Sequence, residues 1–127
     1  MNKRPVKIFY ESGVLKQEGA LKDGNPEGSW KFYSESGQLE AEKIYKDGKL
    51  DGLNRHYHEN GKLNTECIYK DNKLDGPFKW YDENGQLIME MTCKNDQLEG
   101  PCKIYSKNGR LRREGSYRDG KFVKDLL

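Results

Sequence analysis

Tyr57-His58-Glu59-Asn60-Gly61-Lys62-Leu63, then Tyr69-Lys70-Asp71-Asn72-Lys73-Leu74-Asp75-Gly76, then Tyr81-Asp82-Glu83-Asn84-Gly85-Gln86-Leu87: across this stretch an aromatic, a polar turn with glycine and a leucine return after 24 residues. The beat extends in both directions. Glycines stand at 13, 37, 61, 85 and 109, leucines at 15, 39, 63, 87 and 111, and an aromatic at Phe9, Tyr33, Tyr57, Tyr81 and Tyr105. Half a period away a second turn recurs as Asp23-Gly24, Asp47-Gly48, Asp71-Asn72, Asn95-Asp96 and Asp119-Gly120. Self-similarity at a fixed short period is the signature of a repeat array. Five copies, at approximately 4–25, 26–49, 50–73, 74–97 and 98–121, fill a single domain of residues 1–127 and leave 122–127 as a C-terminal tail.

Asn-Gly and Asp-Gly favour two-residue hairpin turns, because both central positions need positive φ. Gly37, Gly61, Gly85 and Gly109 are therefore expected as turn glycines. A two-residue turn at Ser36-Gly37 sets Lys31 opposite Glu42, Phe32 opposite Ala41 and Tyr33 opposite Glu40. The same rule pairs Lys7 with Glu18, Arg55 with Glu66, Lys79 with Glu90 and Lys103 with Glu114, each pair contributing roughly 0.2–1 kcal/mol. A three-residue turn with a glycine bulge is the competing register, and the apolar pattern favours the first. At the other turn, Tyr45 falls opposite Leu50 and Tyr69 opposite Leu74.

Strand alternation then separates two faces. One carries Trp30, Phe32, Leu39, Ala41 and Tyr45 in the second copy, and Phe78, Trp80, Leu87, Met89 and Met91 in the fourth. It is the expected core, with Trp80 as a large buried aromatic. The other carries the Lys–Glu pairs, the four tyrosines, and Ile44, Ile68 and Ile88. Gly28, Gly52, Gly76 and Gly100 interrupt strands, and glycine there marks a bend or bulge. The expected fold is all-β: an elongated meander of antiparallel hairpins in a twisted, solenoid-like sheet.

Composition agrees with a thin core. Hydrophobic residues make up 33% and charged residues 35%, a mixture that verges on disorder unless repeats share one buried face. Basic and acidic residues nearly cancel at 23 against 21, which gives no strong grip on nucleic acid or an anionic membrane. Neither a signal core nor a span of apolar residues appears in the chain, so a cytoplasmic protein is expected. Cys67, Cys93 and Cys102 are too few for a disulfide framework.

The quoted runs closely resemble the bacterial MORN-repeat variant, and the resemblance extends from about Ile8 to Phe122. Proteins of this kind are commonly labelled YwqK-family antitoxins. The resemblance implies an interaction or scaffold module, an antitoxin or immunity protein that binds a toxin partner. Its alternative is a peripheral scaffold on a phospholipid surface. Cys93 in place of tyrosine, with Asp71-Asn72 and Asn95-Asp96 in place of Asp-Gly, departs from the family pattern locally.

No chemistry-bearing constellation stands out. Five equivalent glutamates, each facing a cation, read as structural pairs, whereas a catalytic pair needs two differing environments. His56 and His58 at i, i+2 with Cys67 across the hairpin make three zinc-type ligands, but no fourth has suitable spacing. No cysteine has a histidine partner of the nucleophile type. The chain is therefore expected to be no enzyme, with no cofactor, no metal and no nucleic-acid partner. Another protein is the expected partner, and Tyr33, Tyr57, Tyr81 and Tyr105 form the candidate binding face.

Overall fold

The computed structural model describes residues 3–126. Met1, Asn2 and Leu127, which the sequence reading counts within the domain and its tail, lie outside the described residues. Eleven strands follow one another: β1 (Lys3–Phe9), β2 (Leu15–Lys22), β3 (Asn25–Tyr33), β4 (Leu39–Lys46), β5 (Lys49–Tyr57), β6 (Leu63–Lys70), β7 (Lys73–Tyr81), β8 (Leu87–Lys94), β9 (Gln97–Tyr105), β10 (Leu111–Arg118) and β11 (Lys121–Asp125). Each pairs antiparallel with its neighbours in one open sheet whose spatial order is the chain order. β11 takes in most of the expected tail by pairing with β10.

The Asp-type turns are two-residue turns as expected. Tyr45 faces Leu50 and Tyr69 faces Leu74. Both central residues take the left-handed conformation, even where glycine is missing: Asp71 has φ 49° and Asn72 68°. Asn and Asp tolerate that region because their short side chains bond locally. The substituted residues also gain a partner. Asn72 Oδ1 accepts from the Leu50 amide at 2.7 Å, and Asp96 Oδ1 from the Leu74 amide at 2.7 Å. The departures from Asp-Gly thus tie the last turn of a repeat to that repeat's own first strand.

The other turns correct the expected geometry. The Gly37 amide donates to Ser34 O at 2.9 Å and the Ser34 amide to Gln38 O at 2.8 Å. This is a three-residue loop closed by a glycine at φ 90°, a conformation that a β-carbon penalises. Tyr33 consequently faces Leu39, not Glu40. A bulge between Phe32 and Tyr33 then absorbs the extra residue, so Phe32 still faces Ala41 and Lys31 still faces Glu42. The expected Lys–Glu register holds although the turn differs, because the two irregularities cancel. The repeated leucines change sides with the correction. Cross-strand partners share a face, so Leu39, Leu63 and Leu87 lie with Tyr33, Tyr57 and Tyr81.

Gly28, Gly52, Gly76 and Gly100 mark bulges. Between the pairs Lys43–Asn54 and Tyr45–Leu50, three residues of β5 stand against Ile44 alone. Gly52 has φ 128°, and a β-carbon there would stand 3.3 Å from Ile44 Cβ. Backbone geometry and crowding both demand glycine at this position.

The core is thin and off-centre. Among the described residues Trp30, Ala41, Asn54, Cys67 and Cys93 are the buried ones, and no large side chain is completely enclosed. Trp30 lies over Gly19, where a β-carbon would come within 2.1 Å of the indole. Its Nε1 donates to Ala20 O at 3.1 Å, and its ring meets Tyr45 edge-on at 6.4 Å between centroids. Trp80 is not core: 41% of its surface is exposed, against 5% for Trp30. The face is right but the depth is wrong. Trp80 pairs with Thr65 and Met89 in a row further from the Asp-type turns than the row holding Cys67 and Phe78. No second layer covers that outer row.

Candidate functional site

The hairpin pairs seen in the sequence join into one continuous ladder. Lys7, Glu18, Lys31, Glu42, Arg55, Glu66, Lys79, Glu90, Lys103 and Glu114 stand in register on ten successive strands, alternating in sign. Each inner member therefore has an opposite charge on both sides. The 13-residue step from Glu18 to Lys31 recurs through the chain, but a plain two-residue turn at Asp47-Gly48 would set Glu42 opposite Leu53, and the bulge against Ile44 is what brings it to Arg55. Direct ion pairing occurs at Arg55 Nε, 2.8 Å from Glu66 Oε2. Elsewhere the ladder acts through its field, and surface pairs of this kind are worth about 0–1 kcal/mol each.

Tyr33, Tyr57, Tyr81 and Tyr105 are half-buried beside this ladder, on the same side of the sheet. Their hydroxyls reach back one repeat to the glutamates. Tyr33 Oη donates to Glu18 at 2.6 Å, Tyr57 Oη to Glu42, and Tyr105 Oη to Glu90 at 3.1 Å. Glu66, the acceptor one repeat back from Tyr81, binds Arg55 instead. The hydrogen bond to the Glu18 carboxylate, and then loss of solvent, pushes the Tyr33 pKa up to about 12. Burial and then the neighbouring carboxylates raise Tyr57 and Tyr105. Tyr33, Tyr57 and Tyr105 therefore stay neutral and carry proton donors already committed to the sheet. Their ring faces remain as contact area.

The loops at the glycine end link repeats through side chains. Tyr10 Oη donates to Tyr33 O at 2.6 Å, and Asn60 Nδ2 to Glu83 O at 2.7 Å. His58 Nε2 lies 2.9 Å from Tyr81 O and donates to it. This leaves His58 in a loop beyond β5, apart from His56 on the strand. His56 faces Thr65, and Asn54 faces Cys67. Among the described residues no group of three His, Cys, Asp or Glu side chains is placed to hold a metal ion.

The cysteines are thiols. Burial first, then Cys93 and Glu66, pushes Cys67 up to about 11, and burial raises Cys93 and Cys102. A nucleophilic cysteine needs its pKa lowered, not raised. Asn54 occupies the slot filled by Trp30, Phe78 and Cys102 elsewhere, 3% exposed, with Oδ1 lacking a donor among the described residues. An orphaned acceptor of this kind costs about 1–3 kcal/mol. A surface hollow of about 440 Å³ beside Lys3, Glu18, Glu27 and Lys31 carries charges of both signs.

Among the described residues no helix is long and apolar enough to cross a membrane. No curated protein matches the chain. The MORN repeat variant family matches five times, over residues 5–23, 26–47, 50–71, 74–95 and 98–119. These five matches each take in one glycine-closed hairpin with its share of the ladder, and the chain belongs to the MORN repeat variant family.

Proposed function

We propose that this protein is a non-enzymatic binding module whose partner is another protein, acting as an antitoxin or immunity factor against a toxin. The observation that carries this reading is the single-layer sheet of eleven strands, along one face of which paired charges and tyrosines recur at one spacing. Repeat sheets of this form offer extended surfaces for partners. MORN repeats generally serve as protein- or membrane-interaction modules, which agrees with the reading and leaves the partner open. On the ladder face, tyrosine rings supply contact area at low entropic cost, and the alternating charges set orientation.

Affinity purification from the native host, followed by direct binding to the purified partner, tests this proposal. Tyr57→Ala combined with Tyr81→Ala should weaken binding while leaving the circular dichroism spectrum of the sheet intact. Normal binding by the folded double variant would remove the tyrosines from the interface. The alternative, a peripheral phospholipid scaffold, gains ground only if the chain pellets with liposomes at physiological salt.

A further inference from the structure

The face opposite the ladder carries an apolar patch in repeats four and five. Trp80 pairs with Met89, Met89 with Ile104, and beside them Phe78 pairs with Met91. Phe78 and Trp80 meet edge-on at 6.0 Å between centroids, and Trp80 is 41% exposed. Tryptophan and methionine are enriched where partners bind.

Charge on this face is one-sided. At its paired positions stand Arg4, Lys43 and Arg113, with a single carboxylate, Asp125, at the β11 edge. The ladder glutamates all point the other way. Lys43 on β4 and Arg113 on β10 each lie three strands from Trp80 on β7, or about 14 Å at 4.8 Å per strand. Lys43 Nζ sits 5.1 Å from the Phe32 ring, which brings it towards the Trp80 row.

We propose that this patch docks an acidic polypeptide segment that crosses the strands, with an apolar side chain seated on Trp80 and carboxylates meeting Lys43 and Arg113. The span of about 28 Å between the two cations corresponds to about eight or nine extended residues. The segment therefore carries its acids about four residues to either side of the anchor. A second copy of this chain fits poorly, since it would bring the same three cations against Arg4, Lys43 and Arg113. A lipid surface fits poorly too, because anionic lipid is gripped by clusters of about four to eight basic residues, and here the cations are spread singly across a face. The proposal rests on the chain being a protein-binding module and is independent of the tyrosine row.

The test is selection of displayed random peptides of about twelve residues on the full-length chain, with binding measured by fluorescence anisotropy. Enriched peptides should carry an aromatic or aliphatic centre and acids towards both ends. Trp80→Ser should weaken them at least about tenfold and Arg113→Glu about fivefold, whereas Lys62→Ala should leave them unchanged. Arg113 is exposed, so Arg113→Glu keeps the test alive if Trp80→Ser fails to fold. Absence of enrichment, enrichment of basic or neutral peptides, or indifference to both variants overturns the proposal. So does wild-type pelleting with phosphatidylserine vesicles that both variants lose while no peptide is enriched. If a native partner loses affinity only on Tyr57→Ala with Tyr81→Ala, the binding-module reading stands and this site falls.

Discussion

Replacing each tryptophan by alanine separates the covered row of the sheet from the uncovered one. Trp30 is 5% exposed and Trp80 41%. Of the roughly 200 Å² that a large aromatic buries, Trp30 thus keeps about 70 Å² more from water, worth about 1.8 kcal/mol at 25 cal/mol/Å². Its indole hydrogen bond to Ala20 adds about 1 kcal/mol. Trp30→Ala should therefore cost about 4–5 kcal/mol, at the top of the range for buried aromatics, and Trp80→Ala about 1–2. The difference corresponds to about 10 °C in Tm for a domain of this size. Urea unfolding followed by circular dichroism measures the gap. Hydrogen exchange should accompany it, because a repeat array can lose one end before the rest. Loss of protection after Trp30→Ala should begin in β2 to β4. Equal destabilisation by the two variants, or a larger cost at Trp80, would refute the placement of the core.

Gly19→Ala should destabilise by about 1–3 kcal/mol through overpacking, since the new methyl would fall 2.1 Å from the Trp30 ring. A red shift in indole fluorescence would show the ring displaced, and an unchanged spectrum and Tm would contradict the contact. Tyr33 titrates at about 12 in the fold against 10.0 for a free tyrosine. The folded chain holds this proton more tightly, so the stabilisation is complete below pH 10 and is lost as pH rises towards 12. Tyr33→Phe should be less stable near about pH 8, and its stability should fall less steeply across the alkaline window. A parallel loss in both proteins would mean that the Glu18 bond contributes nothing.

Fold class, repeat length and strand pairing were legible in the chain itself. Period-24 recurrence names the unit, Asp-Gly and Asn-Gly name the reversals, and opposite charges at Lys31 and Glu42 or Arg55 and Glu66 name the register. These are local properties: a turn and its flanking pairs are decided by residues close in sequence. Even the wrong turn at Ser36-Gly37 left that register intact, because the bulge beside Tyr33 compensates for the extra loop residue. Nothing local announces such a compensation.

What the tertiary structure alone decided is depth. Alternation assigns Trp30 and Trp80 to one face and cannot say which is covered. Trp30 is buried because Gly19, a strand away, leaves room for the indole and Tyr45 closes its edge. Trp80 has Thr65 and Met89 as neighbours and no second layer above it. The ladder likewise became continuous only when Glu42 met Arg55 across the join between copies. Burial and long-range pairing depend on which strands stand side by side in space, and in a single-layer sheet that neighbourhood also decides which apolar residues stay in water.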